Sequence, residues 1–395
     1  MLRNTRTFNR AGRLVEGWYW ALRSREVGRG EVKPVRLAGR ELAIFRGQDG
    51  KVRAVDAHCP HMGAHLAEGK VDGNGLRCFF HHWKFEAGPE GGPLGCVDVP
   101  CREKPPRADL QTWPTEEKYG LIWVWTGAAA RTPVPFVPEL EGIETDSSLG
   151  NQFVKNCHPG VMMINAIDAH HFNSVHNLPV QLVMEPKVLH DNAIQFSNTT
   201  KMPTRRLYQR LIGRFYAGPL TYSMSYWFGS TGSVTVGPDF WHFHIIFALR
   251  PTEDGRTEGQ TILVTKKRPG LLGALVNSVA LFLTSIVGNY FARGDTRVFQ
   301  TIRFDFKTPI KEDLAIIRFI QHVERQPAIA AGTWTRGLPV VSIDEARLRE
   351  RQASSEANAP AGGFTPPIAG PDAALDAREA ELIRREQLLD VGSGS

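Results

Sequence analysis

The chain has 395 residues, 42% of them hydrophobic and 22% charged, which suits a globular protein of about two domains. A disordered chain, a collagen-like repeat and a multi-span membrane protein are excluded as descriptions of the whole. The formal charge of +6 is mild and scattered, so nucleic acid is not the expected partner, and five cysteines point to free thiols or metal ligands rather than a disulfide scaffold.

The opening MLRNTRTFNRAGRLVEGWYW is Arg-rich without a continuous apolar core, so no signal peptide is expected and a cytoplasmic chain is. Up to about Gly127 short strands alternate with turns. Val35 to Phe45 and Val52 to Val55 read as strands flanking a turn at Gly47-Gln48-Asp49-Gly50, and Tyr119 to Trp125 reads as a strand buried on both faces. Thr132 to Pro138, with prolines at 133, 135 and 138, reads as a domain connection. Asn151 to Pro179 reads as helical and rich in His. Strands return between Leu207 and Thr265, at Thr221–Phe228, Ser233–Val236, Trp241–Leu249 and Thr261–Val264. An uncharged stretch from Pro269 to Ala292 precedes helix-like sequence to Arg325. From Arg351 the composition shifts to Ala, Pro, Gly and Ser, a flexible linker, and Ala373 to Leu389 reads as a tail helix that is marginal alone. The domains expected are thus 1–130, 131–350 and a tail at 351–395.

The strongest local signal is Cys59-Pro60-His61, sixteen residues, then Cys78-Phe79-Phe80-His81. Two Cys and two His in matched pairs suggest four metal ligands. Structural zinc is the alternative, but zinc pairs more often set like ligands together. With one Cys and one His in each pair, two loops can pinch a two-iron cluster, both Cys on one iron and both His on the other, as in a Rieske [2Fe–2S] centre. The flanks Cys59-Pro60-His61-Met62-Gly63-Ala64 and Cys78-Phe79-Phe80-His81-His82-Trp83 resemble the two loops of Rieske oxygenases, save that His82 stands where Gly is common there. His58 and His65 read as loop packing, and Cys96, Cys101 and Cys157 as buried thiols.

A second pattern runs Asn165-x-x-Asp168-x-x-His171-x-x-x-x-His176. On a helix the first three share roughly one face, whereas His176 falls about 140° round from His171, so a π-type turn or a break is needed for both to grip one ion. Two His and a later carboxylate make the facial triad of non-heme iron(II) oxygenases. The candidate carboxylates are Asp239, Asp254, Asp295, Asp305 and Asp313. Asp295 is preferred, because it follows a long apolar stretch that Val298 and Phe299 continue.

Together the two motifs resemble Rieske non-heme iron oxygenases, α subunit, over most of residues 16 to 325. The resemblance implies an α+β fold: an all-β Rieske domain and a helix-grip-like catalytic domain with an antiparallel sheet and flanking helices. It implies a [2Fe–2S] cluster on Cys59, His61, Cys78 and His81, and a mononuclear iron(II) on His171, His176 and Asp295, with Asp295 near the start of a late helix. It also implies a head-to-tail homotrimer in which Asp168 bridges His81 of the partner subunit to His171, with Asn165 close to the iron. Electrons then come from a ferredoxin or NAD(P)H-dependent reductase, and O2 is co-substrate. No dinucleotide fingerprint is present, so the reductase is a separate chain.

The apolar 269–292 stretch suggests a greasy substrate or a membrane-surface contact, and a membrane span is the third reading. The single-chain length resembles the α-only steroid and sterol monooxygenases, so a polycyclic lipid is the expected substrate. Phe215, Tyr216, Tyr222, Tyr226, Trp227, Phe228, Trp241 and Phe243 are candidates to line its pocket. An aromatic-ring dioxygenase making cis-diols is the alternative, and an electron-transfer Rieske protein is the alternative of another class.

Overall fold

Turn chemistry and alternating burial build the first third of the chain into three small antiparallel sheets. The computed structural model describes residues 5–88, 91–176, 183–201 and 218–334. Val35 to Phe45 is not one strand, because Ala38 and Gly39 take φ of 47° and 78°. Two successive positive φ values make the tight hairpin turn that joins Val32–Leu37 to Arg40–Arg46. These pair onward with Val52–Asp56 and Thr112–Trp113 into a four-stranded sheet. Leu121–Trp125 is buried at every position, as its unbroken apolar run requires, between Trp18–Arg23 and Thr115–Lys118.

A five-stranded sheet carries the second metal loop. Its order is Asp109–Leu110, Gly91–Asp98, Lys84–Gly88, Gly75–Arg77 and Lys70–Asp72. Ala43, Phe45, Val55, Leu66, Leu76, Phe85, Leu94 and Leu110 form the core between the sheets, and Cys59 and Cys78 are part of it. Thr132 to Val137 is irregular connection, as its prolines dictate, and it delivers Pro138–Leu140 to a second sheet.

That sheet has seven antiparallel strands, in the order Thr145–Lys155, Thr257–Lys266, Phe243–Pro251, Thr231–Pro238, Pro219–Trp227, Ala193–Lys201 and Glu185–His190. The helical reading from Asn151 is corrected. Residues 145–155 are strand, and the Phe153 ring lies so close to Gly259 that a Cβ there would clash at 2.3 Å. Helix begins only at Pro159, with His158 accepting from Gly160 N at 3.1 Å. Period-2 alternation divides the sheet. Tyr222, Val234, Val236, Ile245 and Phe247 face a cavity. On the other face Glu139 from the connector accepts from Thr235 Oγ1 at 2.8 Å, Gln195 Nε2 at 2.9 Å and the Ser223 hydroxyl, which satisfies a half-buried carboxylate.

The uncharged stretch lies in one helix, Gly270–Thr301, packed along the sheet. A second helix, Leu314–Arg325, buries Ala315, Ile316, Phe319, Ile320 and Val323 in the main core. The chain then returns to its start. Ala328–Ala330 pairs with Arg13–Val15, and Glu324 accepts from the N–H groups of Arg6, Thr7 and Phe8 at 2.7, 3.1 and 2.7 Å. Trp334 packs edge-on against Trp113, over which the Arg40 guanidinium stacks at 4.5 Å. The expected tail at 351–395 and the start of the strand-rich region at Leu207 lie outside the described residues.

Candidate metal centres

The four residues of the first motif meet at the tip of the five-stranded sheet. One loop follows Val52–Asp56 and the other follows Gly75–Arg77. Each is closed by its own backbone: Cys59 N donates to Ala64 O at 2.9 Å, Gly63 N to Cys59 O at 2.9 Å, and Cys78 N to Trp83 O at 2.9 Å. Cys59 and Cys78 are buried, whereas His61 and His81 are exposed, with ring centroids 4.6 Å apart. Trp83 stacks on His61 at 4.3 Å and an interplanar angle of 10°, and Phe80 lies 3.8 Å from His81, so both imidazoles are held by aromatic faces. Burial pushes the Cys59 thiol up, and nearby Cys78 adds to the shift; an iron ion that takes the thiolates displaces those protons.

Among the described residues, three or more metal donors converge within 4.8 Å of one another at one place, and it is not here. The Cys59, His61, Cys78 and His81 donors are therefore wider apart than one tetrahedral zinc allows, and they fit two irons. His82 occupies the left-handed region at φ 57°, which explains why Gly suits that position, and its carbonyl accepts from Arg77 Nη1 at 2.8 Å. Arg77 also pairs with Asp72 at 2.7 Å and Asp98 at 2.8 Å, clamping the loop. His58 and His65 are loop packing, with rings 5.4 Å apart and His65 Nδ1 accepting from Ala67 N.

The place where donors do converge is His171, His176 and Asp295. His171 Nε2 lies 2.7 Å from Asp295 Oδ1 and 3.0 Å from His176 Nε2, and His176 Nε2 lies 3.1 Å from the same Oδ1. Asp295 Oδ1 is buried without a well-formed hydrogen bond. Three lone-pair atoms facing one another in a buried triangle fit a divalent cation, and two His with one carboxylate fit iron(II). Burial opposes ionisation of Asp295, yet the two imidazoles together outweigh it and hold its carboxyl below the usual range.

No single helix presents the motif. Helix Pro159–Asn165 stops, and a new one, Ala169–Ser174, starts with Asp168 as its N-cap at φ −83°, ψ 103°. Asp168 Oδ1 accepts from the N–H groups of His170 at 2.9 Å and His171 at 3.1 Å. The second helix ends at Ser174, so His176 reaches the site from past a helix terminus rather than through a π-turn. Asn165 Nδ2 sits 2.9 Å from His171 Nε2, beside the three converging donors. The helices are hung on the sheet by Tyr222, which donates to Ala166 O at 2.7 Å, and Tyr226, which donates to Met163 O at 2.6 Å.

Asp295 lies in the last turns of its 32-residue helix, not near the start, because the apolar run and the carboxylate share one continuous helix. A Cβ on Gly294 would come within 3.0 Å of Val175 and 3.2 Å of His176, so that glycine admits the close approach. The other candidate carboxylates lie elsewhere: Asp254 pairs with Arg256, Asp305 pairs with Lys307, and Asp313 accepts from Ile310 N.

A cavity of about 490 Å3 opens onto the triad, within the range of about 300–1,000 Å3 usual for small-molecule sites. Phe153, Met162, Tyr222, Val234, Ile245 and Phe247 line it, with Val287 and Phe299 from the long helix. Of the aromatic candidates among the described residues only Tyr222 does so. Tyr226, Trp227 and Phe228 are core, Trp241 lies under Arg268, and Phe215 and Tyr216 fall outside the described residues. Phe153 and Phe247 were missed because they sit on strands adjacent only in the folded sheet.

Residues 17–114 match the Rieske [2Fe-2S] domain family. The chain is 42% identical over 130 residues to a cholesterol 7-desaturase of Hemicentrotus pulcherrimus, covering 32% of this chain and 27% of that protein. It is 32% identical over 171 residues to the oxygenase component of a 3-ketosteroid-9-alpha-monooxygenase of Rhodococcus rhodochrous, covering 42% of this chain and 44% of that one. The matched stretch thus spans only about a third of the cholesterol 7-desaturases, 27% of one and 35% of another. The fold is that of the crystal structure of dicamba monooxygenase, with a TM-score of 0.51 at 18% identity over 78% of this chain and 96% of that one. Residues 17–114 are thus a Rieske [2Fe–2S] domain, joined to a sheet-rich α+β part of the chain, and the whole has the fold of dicamba monooxygenase. The first donor set suits a Rieske cluster and the second a mononuclear iron.

Proposed function

We propose that this chain is a terminal oxygenase component that takes electrons from a separate reductase or ferredoxin and hydroxylates or oxidatively demethylates a hydrophobic polycyclic substrate of the sterol or steroid class. The observation that carries this reading is the apolar cavity opening onto His171, His176 and Asp295. When bound, the cluster and the iron supply one-electron transfer and oxygen activation. The chain's own residues do the rest.

Val234, Ile245, Phe247 and Leu263 give the substrate body an apolar wall and exclude water from the triad. Tyr222 offers its ring and no proton, because burial, with Asp295 nearby, pushes its phenol far up and its hydroxyl is tied to Ala166. Polar groups also reach the cavity: Lys155, held by Thr296 at 2.9 Å, and Asn151, held by Asn289 at 2.9 Å. An apolar body with one hydroxyl or ketone suits such a lining, and the desaturase and ketosteroid relatives support the same class. Electron transfer alone would leave the cavity and the triad without a role.

A head-to-tail homotrimer is part of this reading. His61 and His81 are exposed at the tip of their sheet, ready for a second surface. Asp168 spends only Oδ1 on its cap, so Oδ2 is available to His81 of the partner subunit. The test is product mass, with the iron-loaded chain, a surrogate ferredoxin and reductase, oxygen, and a panel of steroids, sterols and aromatics. Gain of one oxygen atom or oxidation of a methyl group on a steroid or sterol is the expected result. Gain of two oxygens and two hydrogens on an aromatic would replace it with ring dihydroxylation, and no product from a fully loaded chain on the sterol panel would refute it.

A further inference from the structure

The Gly270–Thr301 helix is built inside out. Residues 277, 280, 284 and 288 form one stripe by helical period, and this stripe packs on the sheet. It is made of Asn277, Ala280, Thr284 and Gly288, the first three each 2% exposed. Asn277 donates to Asp146 and accepts from Arg268 Nη1 at 3.0 Å, which fastens the stripe to the strand beneath. The opposite stripe carries the bulk: Leu272 is 81% exposed, Leu275 62%, Phe282 66% and Ile286 52%. A surface helix in water points its large apolar side chains at the core and its small polar ones outward. Here the order is reversed.

The outer stripe belongs to Gly270–Tyr290, 21 residues without a charged side chain, the one described segment long and apolar enough to cross a membrane. Crossing is incompatible with the packing, since a span would strip Asn277 from Asp146 and pull Asp295 away from His171 and His176. A helix lying along the membrane plane satisfies both faces at once. Charge chooses the same occupant. Lys266, Lys267 and Arg268 stand just before the helix, and exposed Arg297 stands after its apolar part, so cations bracket the uncharged stripe. Lys267 spends its charge partly on Glu144 at 3.4 Å. Phe240, 73% exposed, lies next to Trp241, over whose ring Arg268 sits at 5.5 Å, an aromatic and basic rim of the kind that settles at lipid headgroups. The rim cations share one sign at both ends of the apolar stripe, which suits the uniform negative charge of an anionic bilayer surface.

We infer that the outer stripe of this helix lies in the surface of an anionic phospholipid bilayer, and that the cavity, whose wall includes Val287 and Gly288 of the same helix, takes its substrate from that side. The attachment stands on the helix alone; the delivery of substrate through it rests on the proposed function.

The test is flotation of the full, iron-loaded chain with vesicles of phosphatidylcholine containing phosphatidylserine, and with phosphatidylcholine alone. The expected result is flotation with the anionic vesicles, weakened by salt and reversed by alkaline carbonate. The double variant Leu272→Asp, Phe282→Asp, changed only at exposed positions, is expected to lose about a hundredfold in partitioning while keeping its Rieske absorption and iron content. Its turnover on detergent-dispersed substrate is expected to match the parent's, which separates this inference from the proposed reaction. Absence of flotation, equal flotation of the variant, or resistance to carbonate would each overturn it. So would a parent that stays in solution as an oligomer which the variant dissociates, placing a second copy of the chain on this face.

Discussion

The two metal centres solve opposite problems. At the first, the ligands come from two loops within residues 59–81, the cysteines sit in the core and the histidines face outward under aromatic side chains. At the second, the donors come from the middle of a six-residue helix, the second residue past its end and a helix more than a hundred residues later, and both histidines are buried beneath a cavity. In the proposed reaction the first centre is an electron relay, which must be touched, and the second an oxidation site, which must exclude water until substrate arrives. The difference teaches that one centre depends on local loop geometry and the other on tertiary packing of the whole second domain.

That contrast can be broken from either side. The largest effect is expected from Asp295→Ala, which removes a carboxylate that only the fold brings to the two histidines. Iron content at the second site and turnover should fall together, turnover by about a thousandfold or more, while the Rieske absorption persists. Retained iron would remove Asp295 from the site. Asp168→Asn is sharper, because Asn caps a helix as well as Asp does, so thermal stability should hold and both metals should remain bound. If the charge links the two centres between subunits, turnover falls about ten- to a hundredfold, and unchanged turnover refutes the bridge. Val234→Phe fills the cavity away from the metal. It should raise KM for a bulky substrate about tenfold with both metals in place, and an unaltered KM would move substrate elsewhere.

Acid should act on the second domain and its supports. Burial depresses His158, His244 and His322 from 6.5 to about 4. Between those values the unfolded chain binds protons that the folded chain refuses, so the stability these groups contribute is full above 6.5 and drains as pH falls toward 4. Chemical denaturation midpoints across that window check it, and a flat profile would contradict it. The smallest change belongs to the first centre: His82→Gly relieves a positive φ and should raise stability by about 0.5–1 kcal/mol with the cluster spectrum unaltered. A lower melting temperature would mean that the imidazole itself braces the loop.

Legibility followed the same division. Cys59, His61, Cys78 and His81 could be read as one centre because both pairs lie within one short stretch, each with its own turn residues. His171 and His176 were legible as a pair, but the breaks on either side of Ala169–Ser174 were not, since capping by Asp168 and termination at Ser174 are decided by what the helix meets. Asp295 was found by the apolar run before it, yet its place late in the helix was hidden because nothing in that run marks a start nearer to it. The cavity wall was least legible. Tyr222 and Tyr226 are both tyrosines on one strand, and only the sheet's depth decides that one meets substrate and the other packs in the core.

The closure of the chain on itself has a consequence for how it is made. Thr7 is bound by Glu324, 317 residues later, and Arg13–Val15 finds its strand partner only at Ala328–Ala330. On a ribosome adding roughly 5–20 residues per second, the first strand waits tens of seconds for the segment that covers it. The cluster-binding loops and their sheet are complete long before then. Cofactor insertion can therefore begin on a nascent chain whose Arg13–Val15 strand is still unpaired, and the last described strand to emerge is the one that covers it.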